Sequence, residues 1–116
     1  MGEAPRRIQR SRAKGWRMPP NAIYVGRPTP WGNRVRVIGP DVLGQWFTLW
    51  PCGTTRLGPS RQDAANEAVK EYQLMLWCHG SLYEQAKMAL RGHDLCCWCP
   101  LDTPCHADVL LEIANA

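Results

Sequence analysis

Residues 94–115 constrain the fold more strongly than any other part of the chain. Residues 94–98 are mostly apolar and follow a glycine turn, which is typical of a short buried strand. Pro100 and Pro104 bracket a loop, and the residues after them have the spacing of an amphipathic helix. Four of the six cysteines and one of the three histidines fall on this strand, loop and helix start. Because the helix body carries none of them, their placement indicates a functional site.

The middle of the chain predicts two helices. Ser60 is followed three residues later by Asp63, which is the pattern of an N-cap with a capping box. Apolar residues then recur at helical spacing until a glycine ends the pattern near residue 80. Ser81 and Glu84 repeat the capping pattern and predict a second helix over residues 82–90.

The remaining apolar segments predict strands. Residues 22–26 are β-branched and aromatic, and residues 34–38 alternate between polar and apolar side chains. Residues 45–50 predict a further strand, which would form a hairpin with residues 34–38. Together with the strand at 94–98, this order predicts an α/β fold: a small Rossmann-like, mainly parallel sheet with an added β-hairpin and flanking helices.

Two loops are expected to meet at one edge of this sheet. Strands 22–26 and 94–98 should be parallel and joined by a right-handed crossover, so their C-terminal ends lie on the same side. That side carries loop 26–33, which holds two prolines and two glycines, and loop 99–106. Ligands of open α/β sheets bind at this edge. We therefore predict a cleft between the two loops.

The charge of the chain is unevenly distributed. Residues 1–36 carry nine Arg or Lys against one Glu, a net charge of +8, whereas residues 37–116 carry five against nine, a net charge of −4. We interpret residues 1–13 as an irregular basic arm, whose order the sequence leaves open, and residues 14–116 as a single α/β domain. A solvated tail and a phosphate-contacting arm both fit the first of these segments, and the asymmetry favours a polyanionic or phosphorylated partner.

Cysteine usage and hydropathy bear on the compartment. The N-terminus is polar and basic and lacks the apolar region of a signal peptide, and no apolar run approaches the length of a membrane span. We therefore expect a cytoplasmic protein without a membrane partner, whose cysteines are buried, metal-binding or reactive thiols.

Candidate ligand-binding residues lie before and within loop 26–33. Arg17 is flanked by apolar anchors, and Arg27 follows the first strand, so both could bind phosphate. Trp31 could stack on a base and Asn33 could orient it. An ordinary surface charge at Arg27 and a loop plug at Trp31 fit the pattern equally well.

The cysteine cluster is compatible with three chemistries. Because side chains alternate along a strand, Cys97 and Cys99 share one face, whereas Cys96 faces the other and is interpreted as a small buried hydrophobe. Thr103 or Cys105 would cap the last helix, where the macrodipole lowers the pKa of a thiol. In one alternative a zinc ion is bound; in another, Cys105, His106 and Cys99 are catalytic; in the third, the thiols pack and the loop binds phosphate. The candidate zinc ligands are Cys97, Cys99, Cys105 and His106.

Two blocks resemble a known family. The segments KGWRMPPNAIYVGRPTPWGN and LRGHDLCCWCPLDTPCHADVLLEIAN are similar to those of domain-of-unknown-function family 4326, small proteins frequent in phages and actinobacteria. The positions that the resemblance implies as recurrent are Lys14, Gly15, Trp16, Pro19, Val25, Gly26, Arg27, Pro28, Trp31, Gly32, Asn33, Cys97, Trp98, Cys99, Cys105, His106, Asp108 and Leu110. The family continues its WGN motif with Pro-Phe, whereas this chain has Arg34-Val35. The last block also resembles a second uncharacterised, Rossmann-like family, which carries an Arg after its Cys-His pair.

The leading hypothesis is a protein that binds, and processes, a nucleotide or nucleic acid in the cleft between loops 26–33 and 99–106. The alternative is a non-enzymatic accessory module, which is stabilised by zinc or binds a host protein.

Overall fold

The computed structural model describes residues 4–116 and has a mixed α/β architecture with three helices and two small sheets. The mixed α/β class and the presence of a parallel sheet are confirmed. In chain order the elements are β1 (Arg7–Gln9), β2 (Ala22–Tyr24), β3 (Arg36–Ile38), β4 (Trp46–Leu49), β5 (Thr55–Gly58), α1 (Arg61–Cys78), α2 (Gly80–Leu90), β6 (Asp94–Cys97) and α3 (His106–Ala114).

The parallel sheet is built around β6. Its strand order is β1–β6–β2, and β6 runs parallel to both neighbours, with Ala22 opposite Asp94 and Arg7 opposite Leu95. Residues 95–97 are at most 1% exposed, as expected for a central parallel strand covered on both faces. The predicted parallel pairing of the segments 22–26 and 94–98 is therefore confirmed, and it brings the ends of β2 and β6 to one edge.

Strand β1 corrects the prediction of an irregular basic arm at residues 1–13. The Leu95 N–H donates to the carbonyl of Arg6, at 3.0 Å, and the Arg10 N–H donates to the carbonyl of Cys97, at 2.7 Å. Strand β1 thus provides hydrogen-bond partners for one edge of β6. Without β1, buried backbone groups of β6 would lack partners. Residues 1–3 of the predicted arm lie outside the described residues.

The predicted hairpin does not extend the parallel sheet. Strands β3, β4 and β5 form a separate three-stranded antiparallel sheet in that order, which packs against α1. The third strand, β5, was not predicted, because three of its four residues are exposed and they lack an alternating pattern. Gly58 at its end allows close approach to α1, since a Cβ atom there would lie 3.1 Å from the backbone nitrogen of Ala64.

Residues Ser60 and His79 precede helices α1 and α2 and accept backbone N–H groups of their first turns. Ser60 caps α1 as predicted, and its hydroxyl accepts the backbone N–H of Asp63 at 3.1 Å. The prediction that Ser81 caps the second helix is wrong, because α2 already begins at Gly80. His79 ends α1 and also precedes α2, where its carbonyl accepts the N–H groups of the first turn.

The hydrophobic core lies between the parallel sheet and the three helices. Tyr72 and Leu76 of α1, Leu90 of α2 and Leu110 of α3 are at most 1% exposed and pack against Leu95 of β6. Helix α3 is thereby held over the end of β6, which places its first residues at the sheet edge. Among the described residues, no helix is long and apolar enough to cross a membrane.

Arg7 connects β1 to the loop between β6 and α3. Its side chain is 8% exposed, and its guanidinium donates to the Asp108 carboxylate at 3.0 Å. It also donates to the carbonyls of Pro100, at 3.2 Å, and Leu101, at 2.8 Å. A residue of the predicted basic tail therefore holds the cysteine-bearing loop in place.

We expect Arg7→Ala to lower the free energy of unfolding by about 2 kcal/mol, since a hydrogen bond to a charged group contributes about 1.5–3 kcal/mol. Arg7→Lys should restore little of this loss, because an ammonium group lacks the planar fork that reaches both carbonyls. Urea denaturation measures the change. Arg6→Ala, which removes an exposed arginine beside it, is the control, and an equal loss in both alanine variants would contradict the role of Arg7.

Candidate functional site

A cavity of about 350 Å³ opens at the edge where β2 and β6 end. Loop 26–33 and loop 99–106 contribute to its wall, and residues of β3 and α1 complete it. Six of the residues singled out in the sequence line it: Arg27, Asn33, Cys97, Cys99, Cys105 and His106. The meeting of the two loops was predicted from strand direction, whereas the contributions of β3 and α1 were not.

Three cysteines converge in this cavity. Cys97 ends β6, Cys99 lies in the following loop and Cys105 caps α3, and their Sγ atoms all lie within 4.8 Å of one another. The Sγ atoms of Cys97 and Cys105 are 3.1 Å apart. Cys97 and Cys105 are buried and Cys99 is half-buried. Cys96 is also buried but lies outside this cluster, in agreement with its interpretation as a packing residue.

His106 connects the cluster to the opposite loop. Its Nε2 lies 2.8 Å from the carbonyl of Val25 and therefore donates a proton to it, while Nδ1 lies 3.5 Å from the Sγ of Cys105. The ring packs edge-on against Tyr72, with 5.1 Å between ring centroids. The group of possible metal ligands whose atoms all lie close together consists of the three cysteines, and the Nδ1 of His106 lies beside it, next to the Sγ of Cys105.

The cluster perturbs the pKa values of its members. The hydrogen bond between Cys97 and Cys105 raises the pKa of Cys97 and lowers that of Cys105, whose sulfur also accepts from Cys99 and His106. Burial alone would lower the pKa of His106, but its contacts with Cys105 and Cys99 outweigh burial and raise this pKa to about 9. The arrangement therefore favours a Cys105 thiolate beside a His106 imidazolium.

Three arginines line the same cavity, namely Arg27, Arg36 and Arg61. The ion pairs among residues 4–116 are Arg7–Asp108 and Arg56–Glu67, so none of the three cavity arginines has a carboxylate partner there. Burial and the charge of Arg36 lower the pKa of Arg27. Arginine remains protonated at neutral pH, because its ordinary pKa lies far above 7. The cavity wall is therefore positively charged and open to an anion.

Two of the residues predicted to bind the ligand, Arg17 and Trp31, do not line the cavity. Arg17 is exposed and does not line the cavity, so it is not placed to bind the same ligand as Arg27. Trp31 packs against the core, and its carbonyl accepts the Tyr72 hydroxyl at 2.7 Å. The ring is thus a loop plug, which was the alternative interpretation.

Asn33 lines the cavity, but its side-chain amide is already engaged. Its Nδ2 donates to the carbonyl of Ala68 at 3.0 Å, and its Oδ1 accepts the N–H of Val35 at 3.0 Å. Both ends of the amide therefore tie loop 26–33 to α1 and β3. We assign Asn33 to positioning this loop.

Sequence reasoning missed several residues of the site. Arg36 lies on a strand that was predicted as part of a remote hairpin, and Arg61 follows the Ser60 cap of α1. Tyr24 and Trp98 also line the cavity. For two of these residues the sequence does carry an indication. Arg36 belongs to an alternating strand with an exposed basic face, and Trp98 lies between two clustered cysteines.

The chain matches the family model described as Domain of unknown function (DUF4326) over residues 8–116. The chain belongs to this family. The match begins within β1 and includes both loops of the cleft and the arginines of β3 and α1. Comparisons with curated proteins and with solved structures found no match.

In the DUF4326 site, the burial of the thiols predicts their reactivity. In a Cys52→Ser/Cys78→Ser background without bound metal, we expect one thiol per chain to react rapidly with iodoacetamide and three to react slowly, because only Cys99 is partly exposed. Intact-mass spectrometry over time counts the labels. Adding Cys99→Ser should remove the fast label, and full labelling in denaturant confirms the total. Persistence of a fast label in that variant would contradict the assigned burial.

Proposed function

We propose that this DUF4326 protein binds a nucleotide or nucleic acid in the cleft between loops 26–33 and 99–106. The observation that carries the proposal is the convergence of three arginines without carboxylate partners and a cysteine–histidine pair on one cavity of about 350 Å³. A cavity of this volume falls within the range of small-molecule sites, about 300–1,000 Å³. A phosphate group matches its charge.

Arginine is suited to this role because its planar guanidinium donates two parallel hydrogen bonds to phosphate oxygens. Arg27 and Arg36 also repel each other, as the lowered pKa of Arg27 reflects. A phosphate bound between them would replace this repulsion with two attractive contacts. The cavity lies at the C-terminal edge of parallel strands, where Rossmann-like sheets bind nucleotides, so we extend the proposal to a Rossmann-like relationship.

Cys99, Cys105 and His106 supply groups for processing the bound ligand. A thiolate beside an imidazolium is the arrangement of an activated cysteine nucleophile. Cys99 is the more accessible sulfur, and Cys105 receives the hydrogen bonds that lower its pKa. All six cysteines are free, which suits a reducing compartment, and we propose that the protein acts in the cytoplasm.

A second candidate function is that of a zinc-stabilised accessory module, which includes the binding of a host protein. The convergence of the Cys97, Cys99 and Cys105 sulfur atoms within 4.8 Å supports it, because thiolates are preferred ligands of zinc. A cluster that holds zinc in this way would not leave a free nucleophile. The two functions therefore make different use of the same sulfur atoms, and metal content separates them.

Nucleotide binding predicts specific losses on removing the cavity arginines. At low salt we expect nucleoside phosphates to raise the melting temperature, and Arg27→Gln and Arg36→Gln each to raise Kd about tenfold or more, since a charge-assisted hydrogen bond contributes about 1.5–3 kcal/mol. Isothermal titration calorimetry measures Kd. Arg34→Gln removes an exposed, equal charge that does not line the cavity and should change Kd by less than about twofold. The absence of binding to every nucleotide tested would end the proposal.

The zinc module predicts one zinc ion per chain in protein purified with zinc present. Cys99→Ser and Cys105→Ser should then lose the metal and unfold at lower temperature, whereas Cys52→Ser, which changes an exposed cysteine outside the cluster, should keep it. Plasma mass spectrometry and thermal denaturation give the two measurements. A metal-free wild-type protein that is fully folded would exclude this module and leave the thiols available for chemistry.

A further inference from the structure

A cluster of aromatic and basic side chains adjoins the mouth of the cavity. The guanidinium carbon of Arg10 lies 4.6 Å from the ring centroid of Tyr24 and 5.2 Å from that of Trp98, and that of Arg12 lies 4.8 Å from the Trp98 ring. Tyr24 and Trp98 also line the cavity. We call these four residues the aromatic rim, which continues the cavity wall toward β1.

Trp98 is a partly exposed ring of the aromatic rim. Trp98 immediately follows the buried strand β6, yet it is 39% exposed, whereas the neighbouring Cys97 is 1% exposed. The two rim arginines have no carboxylate partner among residues 4–116. The Trp98 ring and the two guanidinium groups beside it together offer an aromatic surface and positive charge to a ligand.

The position of the rim is fixed by the backbone of the parallel sheet. The Arg10 N–H donates to the carbonyl of Cys97 at 2.7 Å, so Arg10 lies directly beside the end of β6. The Tyr24 hydroxyl donates to the carbonyl of Arg27 at 2.8 Å, which is possible because Gly26 has no side chain: a Cβ atom there would collide with the Tyr24 ring. The rim and the phosphate-binding arginine are thus held in one rigid arrangement.

We propose that the ligand of the cleft is a single-stranded nucleic acid, whose terminal nucleotide enters the cavity while the adjacent base stacks on Trp98. This inference rests on the proposed function and specifies its ligand. Aromatic rings and arginines bind single strands because every base offers a flat face and every linkage a phosphate. In a duplex the base faces are already stacked, so an internal base pair cannot occupy Trp98.

The dimensions of the site support a strand end rather than an internal segment. A cavity of about 350 Å³ lies near the lower limit for small-molecule sites and accommodates about one nucleotide. A longer ligand must leave through the mouth, where it meets Trp98 and the charges of Arg10 and Arg12. Arg10 and Arg12 would then contact the phosphates of the departing strand.

The test compares a mononucleotide, a dinucleotide and a hexanucleotide with terminal phosphates, in DNA and RNA forms, together with the hexanucleotide duplex. Affinities are measured at low salt by calorimetry or by competition with a labelled hexanucleotide. We expect the affinity to rise about tenfold between mononucleotide and dinucleotide, because base stacking on an aromatic residue contributes about that factor or more. The duplex should bind more weakly than the single strand.

Variants test whether the aromatic rim causes the rise in affinity from mononucleotide to dinucleotide. Trp98→Ala should abolish the tenfold ratio between dinucleotide and mononucleotide affinity, whatever its effect on the mononucleotide alone. Trp77→Ala, which removes another exposed tryptophan from α1, is the matched control and should leave both affinities unchanged. Arg12→Gln, at an exposed position, tests the rim independently of any effect of Trp98→Ala on folding. It should reduce the salt dependence of hexanucleotide binding by about one phosphate contact.

Each alternative outcome has a distinct meaning. Equal affinities for mononucleotide and single strand, or an equal loss of both in Trp98→Ala, would overturn the single-strand proposal while the nucleotide-binding function stands. Tighter binding of the duplex would overturn it as well. If neither mononucleotides nor strands bind, the proposed function fails together with this inference. Comparing the affinities of the DNA and RNA forms shows which of the two nucleic acids is the preferred ligand.

Discussion

The hydrogen bond from His106 to the carbonyl of Val25 determines the geometry of the cleft. Val25 immediately precedes loop 26–33, and His106 closes loop 99–106, so this one bond of 2.8 Å fixes the two walls relative to each other. Burying an imidazole without partners would be costly. Both ring nitrogens of His106 have partners, since Nδ1 faces the sulfur of Cys105. The residue that joins the walls therefore also contacts the cysteine cluster.

Each loop is further held by side chains that bind backbone carbonyls. Tyr72, which packs on the His106 ring, donates to Trp31, and Asn33 donates to Ala68. On the other wall, Arg7 donates to two carbonyls of the loop after β6. Such bonds fix the loops to helices and strands. The site is thereby pre-organised, which lowers the entropic cost of binding.

The sequence allowed the convergence of the two loops to be predicted, because parallel strands of a right-handed crossover end at one edge whatever their side chains are. The contribution of β1 could not be predicted in this way. A three-residue strand among arginines has no periodicity, and only its pairing with β6 makes it ordered. The roles of the tryptophans could not be predicted either, because Trp31 and Trp98 both lie in loops rich in proline. In the structure Trp31 packs against the core, whereas Trp98 is 39% exposed.

The positive charge of the cavity arginines helps to distinguish ligand binding from a metal centre. Three thiolates around a divalent ion would leave one negative charge in excess, and Arg27, which interacts electrostatically with Cys99, could balance it. This explanation does not extend to Arg36 and Arg61. They come from β3 and α1, outside the cysteine loop, and they reach the cavity only because the antiparallel sheet packs against α1. The positive charge of Arg36 and Arg61 exceeds the charge needed to balance a metal centre. It is the charge that the proposed phosphorylated ligand would need.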